Sequence, residues 1–250
     1  MQSRALSSVL VTGANRGLGL ELVHQLARAE RPPRYLLAGC RDPQSTRARD
    51  LVNLAKSFPN IKVLKLDVDD FGSIQECAAQ IEKILGNNGL NLLINNAGVN
   101  YGGALNEITP ESMMNSYRTN VVGPMMVTKV LLPSLQQATW LNDEFKAAVI
   151  NMSSILASIE LFDNKSGTTY AYRASKTALN MVTKCLANEL KPHGIICASM
   201  HPGWVQTEMG GEKAPLTKEE SVRGILQVLS TLSAKDSGSF RDWKGQHLPW

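Results

Sequence analysis

Ser8-Val9-Leu10-Val11-Thr12 runs directly into Gly13-Ala14-Asn15-Arg16-Gly17-Leu18-Gly19, after which Leu18, Leu22 and Leu26 recur four apart. Apolar residues at that spacing share one helix face, so the stretch predicts a strand, a tight glycine turn and a helix. Backbone N–H groups and the positive helix end converge at such a turn, where they can receive a pyrophosphate. The spacing is G-x-x-x-G-x-G rather than G-x-G-x-x-G, so the usual dinucleotide fingerprint is not met as written. An ordinary glycine-rich connection is the competing reading of the turn taken alone.

Outward from this unit the same alternation repeats. Further strands are predicted at 35–40, 61–66, 90–95, 147–153 and 195–201, with Ser239 and Phe240 adding a short last one. Helical stretches are predicted near 45–57, 70–86, 110–138, 171–190 and 217–233, the third opened by Thr109-Pro110 as cap and first turn. Runs this continuously apolar suit strands buried on both faces. The expected fold class is therefore α/β, a doubly wound parallel sheet of about seven strands with helices on both faces. No linker, repeat or composition shift divides residues 1–250, so one domain is expected. Segments 156–170 and 206–217 follow strands and are the natural pocket walls.

Composition narrows the function classes. With 43% hydrophobic and 19% charged residues there is enough apolar mass for one large core and too little charge for a disordered tail. The net charge of +4 comes from scattered basic residues, which argues against nucleic acid as a partner. Cys40, Cys77, Cys185 and Cys197 share no C-x-x-C spacing, so they read as reduced core residues of a cytoplasmic protein and not as a metal site or disulfide framework. A strand starting at Ser8 leaves no room for a secretion signal. Val121 to Leu135 is broken by Gly123, Pro124, Lys129 and Pro133, short of the roughly 20 apolar residues that span a bilayer.

The second strand ends in Gly39-Cys40-Arg41, where an NAD site would place an acid against the ribose 2′-hydroxyl. Arg41, with Arg16 in the glycine turn, can instead grip a 2′-phosphate through charge-assisted bonds, so NADP(H) is the expected cofactor. Asp42, before Pro43, reads as a turn-former pointing away. Tyr172 and Lys176 stand one helical turn apart on one face. At ~5 Å and an effective dielectric near 20, a phenolate and an ammonium attract by roughly 3 kcal/mol, or about 2 pKa units off the phenol. Ser154 ends the fifth predicted strand and can donate to a carbonyl oxygen as charge develops there, whereas alternation sends Ser153 to the other face. Asn120 lies within a predicted helix, where Asn is disfavoured unless a local or functional hydrogen bond justifies it.

In chain order, Thr12-Gly13-x-x-x-Gly17-x-Gly19, Asp67, Asn95-Asn96-Ala97-Gly98, Asn120, Ser154, Tyr172-x-x-x-Lys176 and Pro202-Gly203-Trp204-Val205-x-Thr207 resemble the short-chain dehydrogenase/reductases, nearest to sniffer-like and C-factor-like carbonyl reductases. The resemblance runs from the first strand to about residue 210 and implies a Rossmann fold and an NADP(H)-dependent reduction of a small-molecule carbonyl to an alcohol. It implies Tyr172 as general acid, Ser154 as carbonyl polariser, Lys176 as the group that lowers the tyrosine pKa and holds the nicotinamide ribose, and Asn120 as anchor of a proton-relay water. Asp67 would meet the adenine, Asn95 the adenosine ribose, and Val205 and Thr207 the nicotinamide carboxamide or phosphate. Asn15, Leu18, Val68, Ala97, Gly98, Pro202 and Gly203 complete the implied cofactor lining. The helices at 110–138 and 171–190 are where such proteins pair their subunits. Ser154 and Tyr172 stand 18 positions apart, so the 156–170 segment is expected to reshape the pocket mouth. An NADP(H)-sensing regulator and an oxidative steroid or alcohol dehydrogenase share these residues; turnover and its direction separate the three.

Overall fold

β1 (Ser8–Thr12) is buried along its length and pairs in parallel with β2 (Tyr35–Cys40) on one side and β4 (Leu92–Asn95) on the other. β3 (Ile61–Lys65) continues the sheet beyond β2, while β5 (Ala147–Met152), β6 (Ile195–His201) and β7 (Phe240–Asp242) continue it beyond β4. The computed structural model describes residues 6–141, 147–163 and 168–250. The order β3-β2-β1-β4-β5-β6-β7 reverses direction at β1, so the chains leaving β1 and β4 part and open a crevice beyond their carboxyl ends.

Strand alternation divides the core in two. Val9, Val11, Leu36, Ala38 and Ile94 face α1 (Gly17–Ala27), α2 (Arg49–Ser57) and α8 (Lys218–Thr231). Leu10, Leu37, Leu93 and Val149 face α3 (Phe71–Leu85), α5 (Gly123–Val130), α6 (Leu132–Leu141) and α7 (Tyr170–Glu189). Each fully buried leucine contributes roughly 1.5–3 kcal/mol, so both helical layers are fastened to the sheet by the same short strands.

Several boundaries differ from expectation. Between Thr109 and residue 138 the chain forms α4 (Pro110–Tyr117), a π-helical turn (Arg118–Val122), then α5 and α6, instead of one helix. Pro124 has no N–H for the carbonyl of Asn120, and Pro133 none for that of Lys129, so the i→i−4 ladder cannot run through either point. The 45–57 stretch begins with a 3₁₀ turn (Thr46–Ala48). Leu66, Leu90 and Ser153 fall outside β3, β4 and β5, and the last strand begins at Phe240. Cys185 is exposed on α7, contrary to the core assignment, while Cys40, Cys77 and Cys197 are buried and all four are free. Of the 156–170 segment, residues 164–167 lie outside the described residues, as do 1–5. Among the described residues no helix is long and apolar enough to cross a membrane.

The glycine turn depends on close approach. Gly13, at φ +64, lies against Ala97, and a Cβ on Gly19 would sit 2.2 Å from the Gly13 carbonyl oxygen and 2.6 Å from Asn96 Nδ2. Gly19→Ala is expected to destabilise the fold by about 1–3 kcal/mol in thermal or denaturant unfolding. Gly102→Ala, where a Cβ meets nothing within 4 Å, serves as the neutral control. Equal stability of the two variants would refute the close-approach argument.

Candidate active site

Thr12 Oγ1 accepts from the backbone N–H groups of Asn96 and Ala97, both at 3.0 Å, and Asn96 Nδ2 donates to the carbonyls of Thr12 (2.9 Å) and Gly13 (3.3 Å). These bonds stitch the loops after β1 and β4 across the crevice. Asn96, which sequence reasoning did not single out, makes this stitch. Asn95 points the other way: its Nδ2 donates to Asn151 Oδ1 at 2.9 Å and Thr128 Oγ1 at 3.2 Å, inside the protein. The Asn95 side chain therefore has a buried structural role at the end of β4, which leaves its main chain for the ribose expected there.

Helix α1 starts without a side-chain cap, Arg16 being extended at its N-cap, and has no acidic residue in its first turn. Its first N–H groups and dipole therefore suit an anion. Beside them, Glu208 bridges Arg16 and Arg47, one carboxylate oxygen to each, with the Arg47 contact at 3.4 Å. An anionic group thus already sits between two guanidiniums at the rim of the crevice, as a 2′-phosphate would require. Arg47 thus joins Arg16, which is engaged with Glu208, while Arg41 at the end of β2 is exposed. Asp42 turns away, its Oδ1 accepting from Gln44 N at 2.9 Å. These residues fit a phosphorylated dinucleotide. Asp67 lies just beyond β3 with its Oδ1 accepting from Asp69 N, Val68 packs at Gly123, and Asn15 on the turn and Leu18 at the start of α1 are half-buried. Beyond β6 the Pro202 carbonyl accepts from Ser221 Oγ at 2.6 Å, Gly203 reverses the chain, Val205 is buried against Leu216, and Thr207 Oγ1 accepts from Gly210 N at 3.0 Å.

The fifth strand and α7 bring the chemistry together. Lys176 is buried, its Nζ donating to the Met152 carbonyl at 2.7 Å and lying 5.8 Å from the Tyr172 ring centroid. The Ser154 hydroxyl stands beside the Tyr172 phenol, near enough to pull its pKa down. Ser154 Oγ also accepts from Leu156 N, which caps the 3₁₀ turn Ile155–Ala157. Ser153 donates instead to Asn180 Oδ1 at 2.7 Å, away from the phenol. Asn120 lies in the π-helical turn, 0% exposed; its Oδ1 accepts from Val99 N, and its Nδ2 donates to the Val99 carbonyl and to Ser175 Oγ, each at 2.9 Å. Ser175 in turn donates to the Tyr172 carbonyl. The Asn120 amide hydrogens are thus both committed to protein, which leaves only a lone pair of Oδ1 and the main chain for a water. Gly98 completes the cluster, since a Cβ there would lie 3.1 Å from Asn120 Oδ1 and 3.5 Å from Lys176 Nζ.

The electrostatics correct one expectation. Although Tyr172 as a whole residue is half-buried, loss of water at its phenol pushes the pKa up from its ordinary value, with the Ser154 hydroxyl pulling it down. Burial pushes Lys176 down to about 8. Desolvation, which opposes charge on both groups, outweighs the attraction that spacing alone suggested. Between pH 8 and the ordinary 10.5 of lysine, the unfolded chain keeps a proton that the folded Lys176 has lost, so stability rises with pH. Above 10 the raised phenol opposes this, because the folded state then holds the extra proton. The stability of wild type relative to Lys176→Met is therefore expected to climb by about 2 kcal/mol between pH 8 and 10. Parallel curves in thermal unfolding of the two proteins would contradict the depressed lysine.

The short chain dehydrogenase family model matches residues 7–217. NADPH-bound carbonyl reductase from chicken fatty liver superimposes with a TM-score of 0.95 at 43% identity, over 99% of this chain and 100% of that one. The carbonyl reductase Sniffer of D. melanogaster gives 0.93 at 41% identity over 98% and 100%. The C-signal protein of Myxococcus xanthus is 39% identical over 64% of this chain and 93% of its own. With the family's turn, serine, tyrosine and lysine in one crevice and its model covering most of the sequence, the chain belongs to the short chain dehydrogenase family.

Proposed function

We propose that the protein reduces a carbonyl compound to an alcohol with NADPH. The observation that carries this reading is the meeting of Ser154, Tyr172 and Lys176 beside a glycine turn whose rim holds two arginines on an anion. The NADPH-bound and Sniffer carbonyl reductases, alike over the whole chain, support it.

NADPH, when bound, supplies the hydride. Its phosphates would lie on the α1 N-terminus and among Arg16, Arg41 and Arg47, with Glu208 giving way. Ser154 Oγ–H orients the substrate oxygen, and Tyr172 donates the proton. Burial keeps the phenol neutral before reaction, the state a donor must have. At neutral pH Lys176, with its pKa about 8, is mostly charged, so an ammonium faces the ring as phenolate forms. At ~5 Å between opposite charges and an effective dielectric near 20, such an attraction is roughly 3 kcal/mol. Asn120 holds Val99 and Ser175, fixing the start of α7, and its free lone pair remains for a relay water. The free cysteines suit a reducing, cytoplasmic setting. Copies of the chain would pair through the outer faces of α4 and α7, where Met114 and Met181 stand exposed.

NADPH consumption with a panel of quinones, aldehydes and diketones tests the reading. Wild type is expected to turn over at least one class, and Tyr172→Phe to lose about 10²–10⁴-fold with NADPH binding intact. Binding without turnover across the panel would overturn the reductase in favour of a sensor. For the cofactor, Arg41→Ala and Arg47→Ala are each expected to weaken NADPH by about 1.5–3 kcal/mol and NADH hardly at all. Equal losses for the two cofactors, measured by fluorescence titration, would refute the phosphate assignment.

A further inference from the structure

Residues 243–250 turn back along β7, with Asp242 N donating to the Gln246 carbonyl at 3.0 Å and Leu248 N to the Phe240 carbonyl at 2.9 Å. The Trp250 ring then stacks on Phe240, centroids 5.6 Å apart and planes 24° apart, and Phe240 is itself fully enclosed. Lys184 of α7 places its ammonium 5.7 Å from the same ring. The indole is thereby fixed from two sides.

What this anchors lies 92 positions away in sequence. The Trp250 carbonyl oxygen accepts from Ser158 Oγ (3.3 Å), Ile159 N (3.1 Å) and Glu160 N (3.2 Å). Ser158 Oγ also accepts from Leu161 N at 3.1 Å, closing the turn. On its other side the same segment is held by α7, where Thr177 Oγ1 donates to the Ala157 carbonyl at 2.8 Å. The segment begins at Ser154. It is clasped through its main chain while Ile155, Ile159 and Leu161 remain 39%, 74% and 43% exposed. Leu156, Ser158 and Ile159 line a cavity closed on its other side by Tyr170, Arg173 and Thr177, so the clasp holds an apolar wall in a fixed place.

We infer that Trp250 is a positioning residue: by holding Ser158, Ile159 and Glu160 it sets the substrate wall that starts at Ser154. The inference rests on the carbonyl-reductase reading. It makes Trp250 a determinant of carbonyl binding and not of cofactor binding, because the clasped segment follows β5, which β4 separates from β1 and its glycine turn.

Steady-state kinetics and amide hydrogen exchange on the full chain test it. Trp250→Ala is expected to speed exchange at Ile159 and Glu160, leave α7 protected, raise the carbonyl KM about five- to tenfold and change the NADPH KM less than twofold. Trp250→Phe, which keeps a stacking ring, restores the carbonyl KM. Ser158→Ala shifts it in the same direction by less. A Trp250→Ala protein whose 155–161 amides loosen while the carbonyl KM stays at the wild-type value would overturn the inference. So would a rise in both KM values together with lost protection in α7, the mark of general destabilisation. Wild type that consumes no NADPH with any carbonyl would instead overturn the reductase reading; the clasp itself is read from exchange without substrate.

Discussion

The bond from the buried Lys176 ammonium to the Met152 carbonyl oxygen sets the register between α7 and the end of β5. A buried ammonium without a partner would be costly, so the helix is held where that carbonyl can be reached. Within two helical turns of Lys176, the same face of α7 meets the chain between Asn151 and Ser154 at three more points. Tyr172 reaches Ser154, Asn180 receives the Ser153 hydroxyl, and Thr183 accepts from Asn151 Nδ2 at 2.8 Å. A helix shifted by one residue along this seam would lose all of these contacts together, which ties catalytic alignment to the packing of the fold.

The seam continues inward as a polar layer beneath an otherwise apolar sheet. Asn151 accepts from Asn95, and Asn95 also donates to Thr128, itself bonded to the Pro124 carbonyl at 2.8 Å. The π-helical turn at Arg118–Val122 is coupled to the same region through Asn120 and Ser175. Low dielectric strengthens such bonds and penalises any left unmade, so the layer favours one arrangement of the loops beyond β4, β5 and β6. The cofactor side is built differently, with exposed charges at its rim and an uncapped helix end, where an incoming anion can replace Glu208.

The strand, turn and helix around Gly13 to Gly19 were legible because period and punctuation agree there, and the parallel order followed from repetition. The one-turn spacing of Tyr172 and Lys176 was legible because a helix face has fixed geometry, whereas Ser154, beyond the end of β5, comes beside the phenol through the packing of α7. Proline chemistry at 124 and 133 was visible, yet its effect, a π-helical turn that buries Asn120, needed the helix's neighbours. Arg47 and Glu208 were not legible, since 161 positions separate them and a 3₁₀ turn and a loop bring them together. The phenol's direction of shift was missed for a related reason. Pairwise spacing reports attraction between two groups, whereas desolvation depends on everything packed around them.

In the proposed reduction, burial holds Tyr172 as a neutral proton donor beside a lysine of lowered pKa. An ultraviolet difference titration of wild type against Tyr172→Phe isolates that one phenol. Ionisation above the ordinary tyrosine value near 10 is the predicted result. A phenol already ionised at neutral pH in the protein without cofactor would contradict the account.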